Sequence, residues 1–337
     1  MGELKMGKMS YIVKRIASMN FKTYFKTIDD VHKKTNKPKI YVFFDSVLCG
    51  IAHQAGYMDY QLFEMYKMNH KQRKTVITRG RNNDLMKKYN NPAYVKYFND
   101  KALFNEKFDK YLNRSWLLLK NDNFDDFATF IKNKKEIIVK PLDESCGKGV
   151  EKLKPSEYDS KKLYEQLLAN HQYLIEEVAT QCKTISELHP SSINTVRVVT
   201  LKGKGVFACL RIGNYNNVVD NFNKDGMVAP IDIHTGLINY PAIDKVHNEY
   251  ISHPLTHKKI VGLKIPMWEK IVKLCEDASM VIPELGYLGW DVCVGEDKPF
   301  LIEGNEFPGH DLYQLPPHRD KDEGIYPEFL KVLEENK

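Results

Sequence analysis

The chain has 337 residues, of which 42% are hydrophobic, so it is long enough to bury a substantial core and to form two or three subdomains. Lysine and arginine total 50 against 44 acidic residues, a formal excess of +6 that is too small to indicate a nucleic-acid-binding protein. No apolar run reaches the roughly 20 residues that span a bilayer, and the first residues lack the apolar core of a signal peptide. The composition predicts a cytoplasmic protein without a membrane span, and it leaves the oligomeric state open.

The cysteines are scattered. The sequence contains 6 of them, with no CxxC pair and no grouping with histidine at zinc spacing, which is typical of reduced thiols. Cys146 follows a strand and precedes two glycines, but no histidine is near it in the sequence. A catalytic thiol needs an adjacent base, so the sequence argues against a nucleophilic cysteine there.

Residues 1–95 are predicted to form a mostly helical N-terminal region, in which aromatic residues recur every three positions from Tyr57 to Tyr66. The run from Ile40 to Phe44 is the part of this region that we expect to be a strand. Basic residues crowd this third of the chain. They indicate either a solvated face or a surface for an anionic partner.

From residue 96 the pattern changes to a mixed α/β unit, and beyond residue 190 strands dominate. The predicted helices are Lys101–Leu112, Ser160–Asn170 and Pro266–Met280, and the predicted strands are Ile137–Val139, Tyr173–Ile175, Asn194–Leu201 and Gly205–Ile212, followed by a terminal hairpin. The sequence is therefore divided into an N-terminal region (1–95), two α+β segments (96–180 and 181–320) and a C-terminal helix (321–337).

The terminal hairpin has the sequence GYLGWDVCVGEDKPFLIEGNEFPG, residues 286–309. A tight loop at 296–298 places Asp291 opposite Glu303, and strand alternation places Glu303 and Asn305 on one face. Three oxygen donors then converge, and oxygen ligands of this kind suit Mg²⁺. The spacing predicts a Mg²⁺-nucleotide site. The alternative is a strand pair with solvated acidic residues.

A second motif is IIVKPLDESCGKGV, residues 137–150, in which a strand ends at Lys140 and the chain turns through Gly147, Lys148 and Gly149. A lysine at a strand end is a fixed charge for phosphate oxygens, and glycines let backbone N–H groups approach a polyphosphate. The loop is predicted to cover the β- and γ-phosphates. A plain surface turn is the alternative.

The segment YLIEEVA ends another strand with Glu176, Glu177 and Val178. Backbone groups of such a segment can pair with the edge of adenine, while a carboxylate reaches an amino or hydroxyl group. The alternative is a strand that leaves the core and enters solvent. The sequence leaves both interpretations open.

Two arginines follow on successive strands. Alternation places Arg197 on the face opposite its valine neighbours, and Arg211 lies near the end of the next strand. Guanidinium groups beside carboxylates are suited to neutralising charge on a transferring phosphoryl group. The alternative for each is a structural ion pair with Asp220 or Asp232.

His310 and Asp311 come directly after the Pro-Gly turn that ends the hairpin. Loops after rigid strands often carry binding residues, so both are candidates for binding the acceptor substrate. A solvated loop is the alternative.

The order of these features resembles the ATP-grasp superfamily, with Lys101 ahead of the others. SINTVRVVT, VDNFNKDGMVAPID, HPLTHKKIVGLKIPMW and the terminal hairpin resemble the sugar-transfer-associated ATP-grasp family over about residues 95–315. The resemblance implies an α+β ATP-grasp fold in which two α+β subdomains clasp ATP. It also implies that Lys101 and Lys140 bind phosphates, that Glu176 to Val178 contact adenine, and that the hairpin trio binds Mg²⁺.

The resemblance further implies an ATP-dependent carboxylate-amine ligase that forms an acyl phosphate, acting on a sugar-linked or small amino-acid-like substrate. Arg197, Arg211 and Asn221 would then face the γ-phosphate and the acyl intermediate. The alternatives are a kinase of the same fold and a non-catalytic nucleotide-binding regulator. D-alanine ligases have an arginine two residues before the first metal carboxylate, where this chain has Gly289, so Arg197 or Arg211 would have to supply that charge.

Overall fold

The computed structural model describes residues 19–144, 148–215, 220, 222 and 225–335. These residues form two compact units. The N-terminal unit runs to Leu85 and includes Gly309–Lys331, and the larger unit contains Met86–Pro308 and the described residues from Val332 onwards. The boundaries expected near residues 95, 180 and 320 stay predictions. Within the described ranges, no helix has the length and apolar content needed to cross a bilayer.

The N-terminal unit is helical, as expected. Its helices are α1 (Phe21–Thr35), α2 (Lys39–His53), α3 (Tyr57–Leu62), α4 (His70–Lys74) and the start of α5 (Arg79–Tyr89). Their apolar faces enclose a core in which Tyr60, Phe63 and Met65 are fully buried. The C-terminal helix, which we number α12, spans Tyr326–Glu335, and it buries Phe329.

The strand expected at Ile40–Phe44 is wrong, because these residues lie in helix α2. Val42, Ser46, Cys49 and His53 are the buried residues of that helix, at spacings of three and four. Such spacing buries one face of a helix, whereas a strand would bury alternate residues. The β-prone side chains at the start of α2 are therefore overridden by the periodicity of the whole segment.

The larger unit begins with a four-stranded antiparallel sheet in the order β1-β4-β2-β3. Its elements are α6 (Lys96–Asn99), α7 (Lys101–Leu112), β1 (Trp116–Leu118), α8 (Phe124–Ile131), β2 (Ile137–Lys140), β3 (Glu151–Leu153), α9 (Ser160–Ala169) and β4 (Leu174–Glu177). Helices α8 and α9 pack on the face that carries Ile137, Val139 and Ile175. Alternation leaves Lys140 and Glu176 on the opposite face.

A seven-stranded antiparallel sheet completes the larger unit, in the order β11-β10-β5-β6-β7-β8-β9. Its elements are α10 (Lys183–Ser186), β5 (Val196–Leu201), β6 (Lys204–Ile212), β7 (Met227–Ile231), β8 (Ala242–Ile243), β9 (Glu249–Tyr250), α11 (Trp268–Ser279), β10 (Tyr287–Val294) and β11 (Pro299–Asn305). The predicted helices and strands of this half of the chain, including the terminal hairpin, are confirmed within a few residues.

The core of this unit lies on one face of the large sheet. Trp290 is fully buried, with its ring centroid 5.4 Å from that of Phe108 and 5.6 Å from that of Phe98. Gly304 pairs with Trp290 across the hairpin, and a β-carbon at Gly304 would come within 2.4 Å of the Phe98 ring. The glycine between Glu303 and its neighbour Asn305 is therefore required by the packing of the core face.

Candidate active site

Charged side chains line the opposite face of the large sheet, with Asp291 at the centre. In the strand register, Asp291 lies opposite Glu303 on β11 and opposite Arg197 on β5. The Arg197 guanidinium donates two hydrogen bonds to the Asp291 carboxylate, one of them 2.8 Å from Nη2 to Oδ2, and Arg211 Nη1 donates a third at 2.8 Å. Burial raises the pKa of Asp291, but the two arginines outweigh burial and hold it well below its usual range.

Glu303 has the opposite shift. Burial and the negative charge of Asp291 together raise the pKa of the Glu303 carboxyl group. Two facing carboxyl groups are stabilised by a proton or by a cation between them. The pair therefore fits the metal role expected for it.

Asn305 supplies a further observation that fits a cation. It lies two residues after Glu303, on the same face of β11, and its side-chain Nδ2 is buried with no hydrogen-bond partner among the described residues. The oxygen and nitrogen of a side-chain amide are exchanged by rotation, and an oxygen at that position would be a free acceptor. No group of three or more His, Cys, Asp and Glu side chains suited to a metal occurs in the described part of the chain. The metal role of the Asn305 amide stays a prediction.

Arg197 also passes beside Gly289. A β-carbon built on Gly289 would lie 3.4 Å from Pro308 Cβ and 3.5 Å from Arg197 Cδ, which are ordinary van der Waals contacts, so Arg197 is a neighbour of the glycine. The expectation that Arg197 or Arg211 supplies the charge that D-alanine ligases place at the glycine position stays a prediction.

Of the two acidic residues that the sequence offered as ion-pair partners, Asp220 and Asp232, Arg211 contacts Asp220. Its Nη2 lies 3.1 Å from Asp220 Oδ1, while its Nη1 contacts Asp291. Asp220 is held in turn by the backbone N–H of Thr195 at 2.9 Å and by the Thr195 hydroxyl. Asp232 instead accepts hydrogen bonds from backbone N–H groups in its own turn. Arg211 thus forms the structural ion pair with Asp220 and also contacts Asp291, whereas Asn221 lies outside the described residues.

Glu176 occupies the centre of the corresponding face of the small sheet. Its carboxylate lies 2.8 Å from Lys140 Nζ and 3.1 Å from Arg114 Nε, and it accepts a hydrogen bond of 2.8 Å from Asn105 Nδ2. Burial raises the pKa of Glu176, but Arg114 and Lys140 hold it well below its usual range. The side chain is therefore a fixed anion that positions Lys140.

Arg114 is a site residue that the sequence interpretation missed. Besides binding Glu176, its Nη1 donates to the carbonyl of Leu301 at 2.6 Å and its Nη2 to that of Ile302 at 3.0 Å. These carbonyls belong to the irregularity in β11, where the register shifts after the Asp291–Glu303 pair. Arg114 therefore connects the small sheet to strand β11 of the terminal hairpin. It stands in the loop sequence LNRSW, which has no periodicity or motif that marks it.

The structure brings Lys101 close to Lys140. Lys101 stands in the first turn of α7, where the Asp100 carboxylate caps the helix by accepting hydrogen bonds from two backbone N–H groups. Its Nζ donates to the carbonyls of Leu142 and Glu144. Burial and the charge of Lys140 lower the pKa of Lys101. The two amines therefore lie near enough for their charges to interact, and the phosphate role expected for them stays a prediction.

The remaining loop residues are more exposed. Lys148 is exposed and lies 2.8 Å from the Glu144 carboxylate, and Gly149 has a φ of +70°, which favours glycine. Gly147 lies outside the described residues. Glu177, at the end of β4, accepts a hydrogen bond of 2.8 Å from the Ser115 hydroxyl, and Val178 follows it. The phosphate and adenine roles of these residues stay predictions.

The family model for sugar-transfer associated ATP-grasp proteins matches residues 80–328, which is most of the chain. The chain belongs to this family. The match spans both sheets of this ATP-grasp protein, including the charged residues around Asp291 and Glu176. It also includes the segment with His310 and Asp311. The predicted family and the ATP-grasp fold class are thereby confirmed. No curated protein matches this ATP-grasp chain by sequence.

Several solved structures are similar to this ATP-grasp chain at low identity. The ATP-grasp ligase PsnB, complexed with a minimal precursor, Mg and ADP, is 13% identical, with a TM-score of 0.44 over 74% of this chain and 62% of that one. The D-cycloserine synthetase DcsG is 13% identical over 72% of each chain, with a TM-score of 0.42. The D-alanine–D-alanine ligase from Bacillus anthracis is 14% identical over 70% of this chain and 66% of that one, with a TM-score of 0.40. This chain thus spans less than two thirds of the length of PsnB.

His310 and Asp311 belong to the N-terminal unit of the ATP-grasp protein. His310 is buried, and its Nε2 lies 2.9 Å from Asp59 Oδ1. Both His310 and Asp311 line a cavity of about 700 Å³ in that unit. The substrate role expected for them stays a prediction.

Proposed function

We propose that this ATP-grasp protein is an ATP-dependent carboxylate-amine ligase that works through an acyl phosphate on a sugar-linked or small amino-acid-like substrate. The observation that carries the proposal is the row formed by Asp291, Glu303 and Asn305, with Arg197 and Arg211 beside it. Oxygen donors next to guanidinium groups suit a Mg²⁺-bound triphosphate and a phosphoryl group in transfer. Family membership supports the same reading.

In this proposal ATP and Mg²⁺ are the cofactors, and Asp291, Glu303 and Asn305 hold the Mg²⁺, which offsets charge on the phosphates when it is bound. Lys101 and Lys140 bind phosphate oxygens, and the loop with Lys148 and Gly149 covers them.

The adenine base then pairs with backbone groups from Glu176 to Val178, since the Glu176 side chain is already bonded to Arg114 and Lys140. His310 and Asp311 contribute to binding the acceptor.

In the proposed reaction, Arg197 and Arg211 offset the negative charge that collects on the γ-phosphate during transfer. They are held by Asp291, with only 15% and 12% of their side chains exposed, so their guanidinium groups are fixed before a substrate arrives. A carboxylate is a poor electrophile, and phosphorylation gives it a leaving group, provided that the charge collecting on the γ-phosphate is offset. Cys209 lies across from Arg197, but burial raises the pKa of its thiol to about 12, which disfavours a thiolate nucleophile.

The proposal is tested by measuring ADP release and product mass with a panel of carboxylates and amines. We expect ADP to form with a carboxylate and an amine together, and the product to contain a new C–N bond. The Glu303→Gln variant should lose this activity, while the matched variant Glu165→Gln, on the exposed surface of α9, should retain it.

Two results would contradict a ligase. A stable phosphorylated product that forms without any amine would show a kinase. Tight ATP binding with ATP left intact across the whole panel would show a nucleotide-binding regulator. Equal turnover by Glu303→Gln would contradict the metal assignment.

A further inference from the structure

The N-terminal unit contains a cavity of about 700 Å³ bounded by helices α1, α2 and α3. Most of its wall is apolar. The apolar side chains that line it are Met19, Phe21, Phe25, Phe43, Val47, Ile51, Ala55, Met58 and Leu62. A volume of about 700 Å³ is in the range of sites that bind one small molecule.

The mouth of the cavity is also apolar. Phe25, Ile51 and Met58 line it and yet are 55%, 58% and 67% exposed. An apolar ligand would cover these exposed side chains. Its binding is then favoured, because apolar surface of both the protein and the ligand leaves water.

One end of the cavity is polar. Asp59 and His310 line this end, are 96% and 95% buried and are joined through His310 Nε2. The Asp59 carboxylate also accepts hydrogen bonds from the backbone N–H groups of Gly56 and Arg79 at 2.8 and 3.0 Å, so its position is fixed. His310 Nδ1 is buried and has no partner among the described residues.

The hydrogen-bonding groups at the polar end of the cavity indicate which polar group a ligand would place there. If His310 Nε2 carries the proton that Asp59 accepts, Nδ1 is left as an acceptor that needs a donor. Asp59, the exposed Asp311 and Arg79 line this part of the cavity, so two acidic residues face one basic residue and an excess of one negative charge remains when His310 is neutral. An amine or hydroxyl group satisfies Nδ1, whereas a carboxylate has no proton to donate and meets the excess negative charge of Asp59 and Asp311 over Arg79.

We propose that this cavity binds an amphiphile that combines a hydrocarbon chain with an amine or hydroxyl head group, with the head at His310 and Asp59 and the chain leaving between Phe25 and Ile51. The binding needs no nucleotide and none of the residues around Asp291. It is therefore tested without ATP. It rests on the proposed function only in that His310 and Asp311 are also the residues proposed to bind the acceptor, and a failure of amphiphile binding leaves the ADP-release test of the ligase unaffected.

The first test is calorimetric titration of the full-length protein with hexylamine, octylamine, octyl β-glucoside and octanoate, each below its micelle concentration. Each added methylene should tighten binding about threefold to fourfold, so octylamine should bind roughly tenfold tighter than hexylamine. Octyl β-glucoside should bind and octanoate should bind at least tenfold more weakly. Equal affinity for the amine and the carboxylate, or no gain with chain length, would overturn the proposal.

The second test separates the cavity from the apolar surface around it. Ile51→Glu places a charge in the cavity wall, and Leu48→Glu places the same charge on the same helix, at a position 62% exposed that does not line the cavity. Both residues are exposed, so both variants should fold. We expect Ile51→Glu to weaken octylamine binding at least tenfold and Leu48→Glu to leave it within twofold. Equal losses in the two variants would mean nonspecific adhesion and would overturn the proposal.

Discussion

Asp291 lies directly opposite Glu303 in the register of β10 and β11, and the pKa values of the two carboxyl groups are shifted in opposite directions. Burial raises both pKa values. At Asp291 the adjacent guanidinium groups outweigh burial, whereas at Glu303 the charge of Asp291 adds to it. The pair thus contains one firmly ionised group and one that holds a proton more readily than a glutamate in water.

This asymmetry predicts different stability effects at the two positions. Asp291→Asn leaves Arg197 and Arg211 without their shared carboxylate, so it should lower the free energy of unfolding by about 3 kcal/mol. Glu303→Gln replaces a group that is easily protonated with a neutral one, so its cost should stay below about 1 kcal/mol. Urea denaturation of both variants measures the difference. Equal losses would contradict the assignment of the charge to Asp291.

Lys140 should be needed for ATP binding. Lys140→Met keeps the aliphatic bulk but removes the ammonium group, and we expect ATP affinity to fall by roughly tenfold or more, measured by calorimetry. Arg114 and Asn105 continue to hold Glu176, so the variant should remain folded. Lys162→Met, in α9 on the other side of the small sheet, is the matched control and should bind ATP normally. Unchanged affinity in Lys140→Met would refute the phosphate role.

His53 should make the protein less stable in mild acid. Burial, together with nearby cations led by Arg81, lowers the pKa of His53 to about 4 from an ordinary value of 6.5. Between these values the unfolded chain binds a proton that the folded chain does not, so stability falls as the pH decreases from 6.5 towards 4, by up to about 3 kcal/mol. Unfolding measured across this range should show a shallower pH dependence in His53→Gln. The exposed His171→Gln should behave like the parent protein, and an identical slope in His53→Gln would contradict the prediction.

The buried cysteines should be inert in the folded protein. Burial raises the pKa of Cys49, Cys209 and Cys293 to about 12 from an ordinary 9.0, so their thiolate fraction is about a thousandfold smaller than that of a free thiol. Cys146 lies outside the described residues, so the test uses Cys146→Ser. The remaining thiols of this variant should react with a disulfide reagent at pH 8 only after denaturant is added. Rapid reaction in the native state would show that these sites are accessible.

Periodicity and short motifs were sufficient to predict much of this protein. The hairpin register that places Asp291 opposite Glu303 follows from a tight turn and strand alternation, which are local properties of the chain. The helix predicted at Lys101–Leu112 is present, and the structure adds that the Asp100 carboxylate caps its first turn. The same local reasoning failed at Ile40–Phe44, where a β-prone run is only the first turn of a longer helical pattern.

Partnerships between distant residues were decided by the tertiary structure alone. The contact between Arg114 and Glu176, and the contact of Arg114 with the carbonyls of β11, join segments far apart in the sequence, and neither segment has a periodicity that encodes the other. The pairing of His310 with Asp59 is of the same kind. The sequence alone determined which residue types could bind a metal and phosphates, because spacing along one strand sets the face of each side chain. The packing of helices and strands determined which charged side chains contact one another, because it brings together groups that are far apart along the chain.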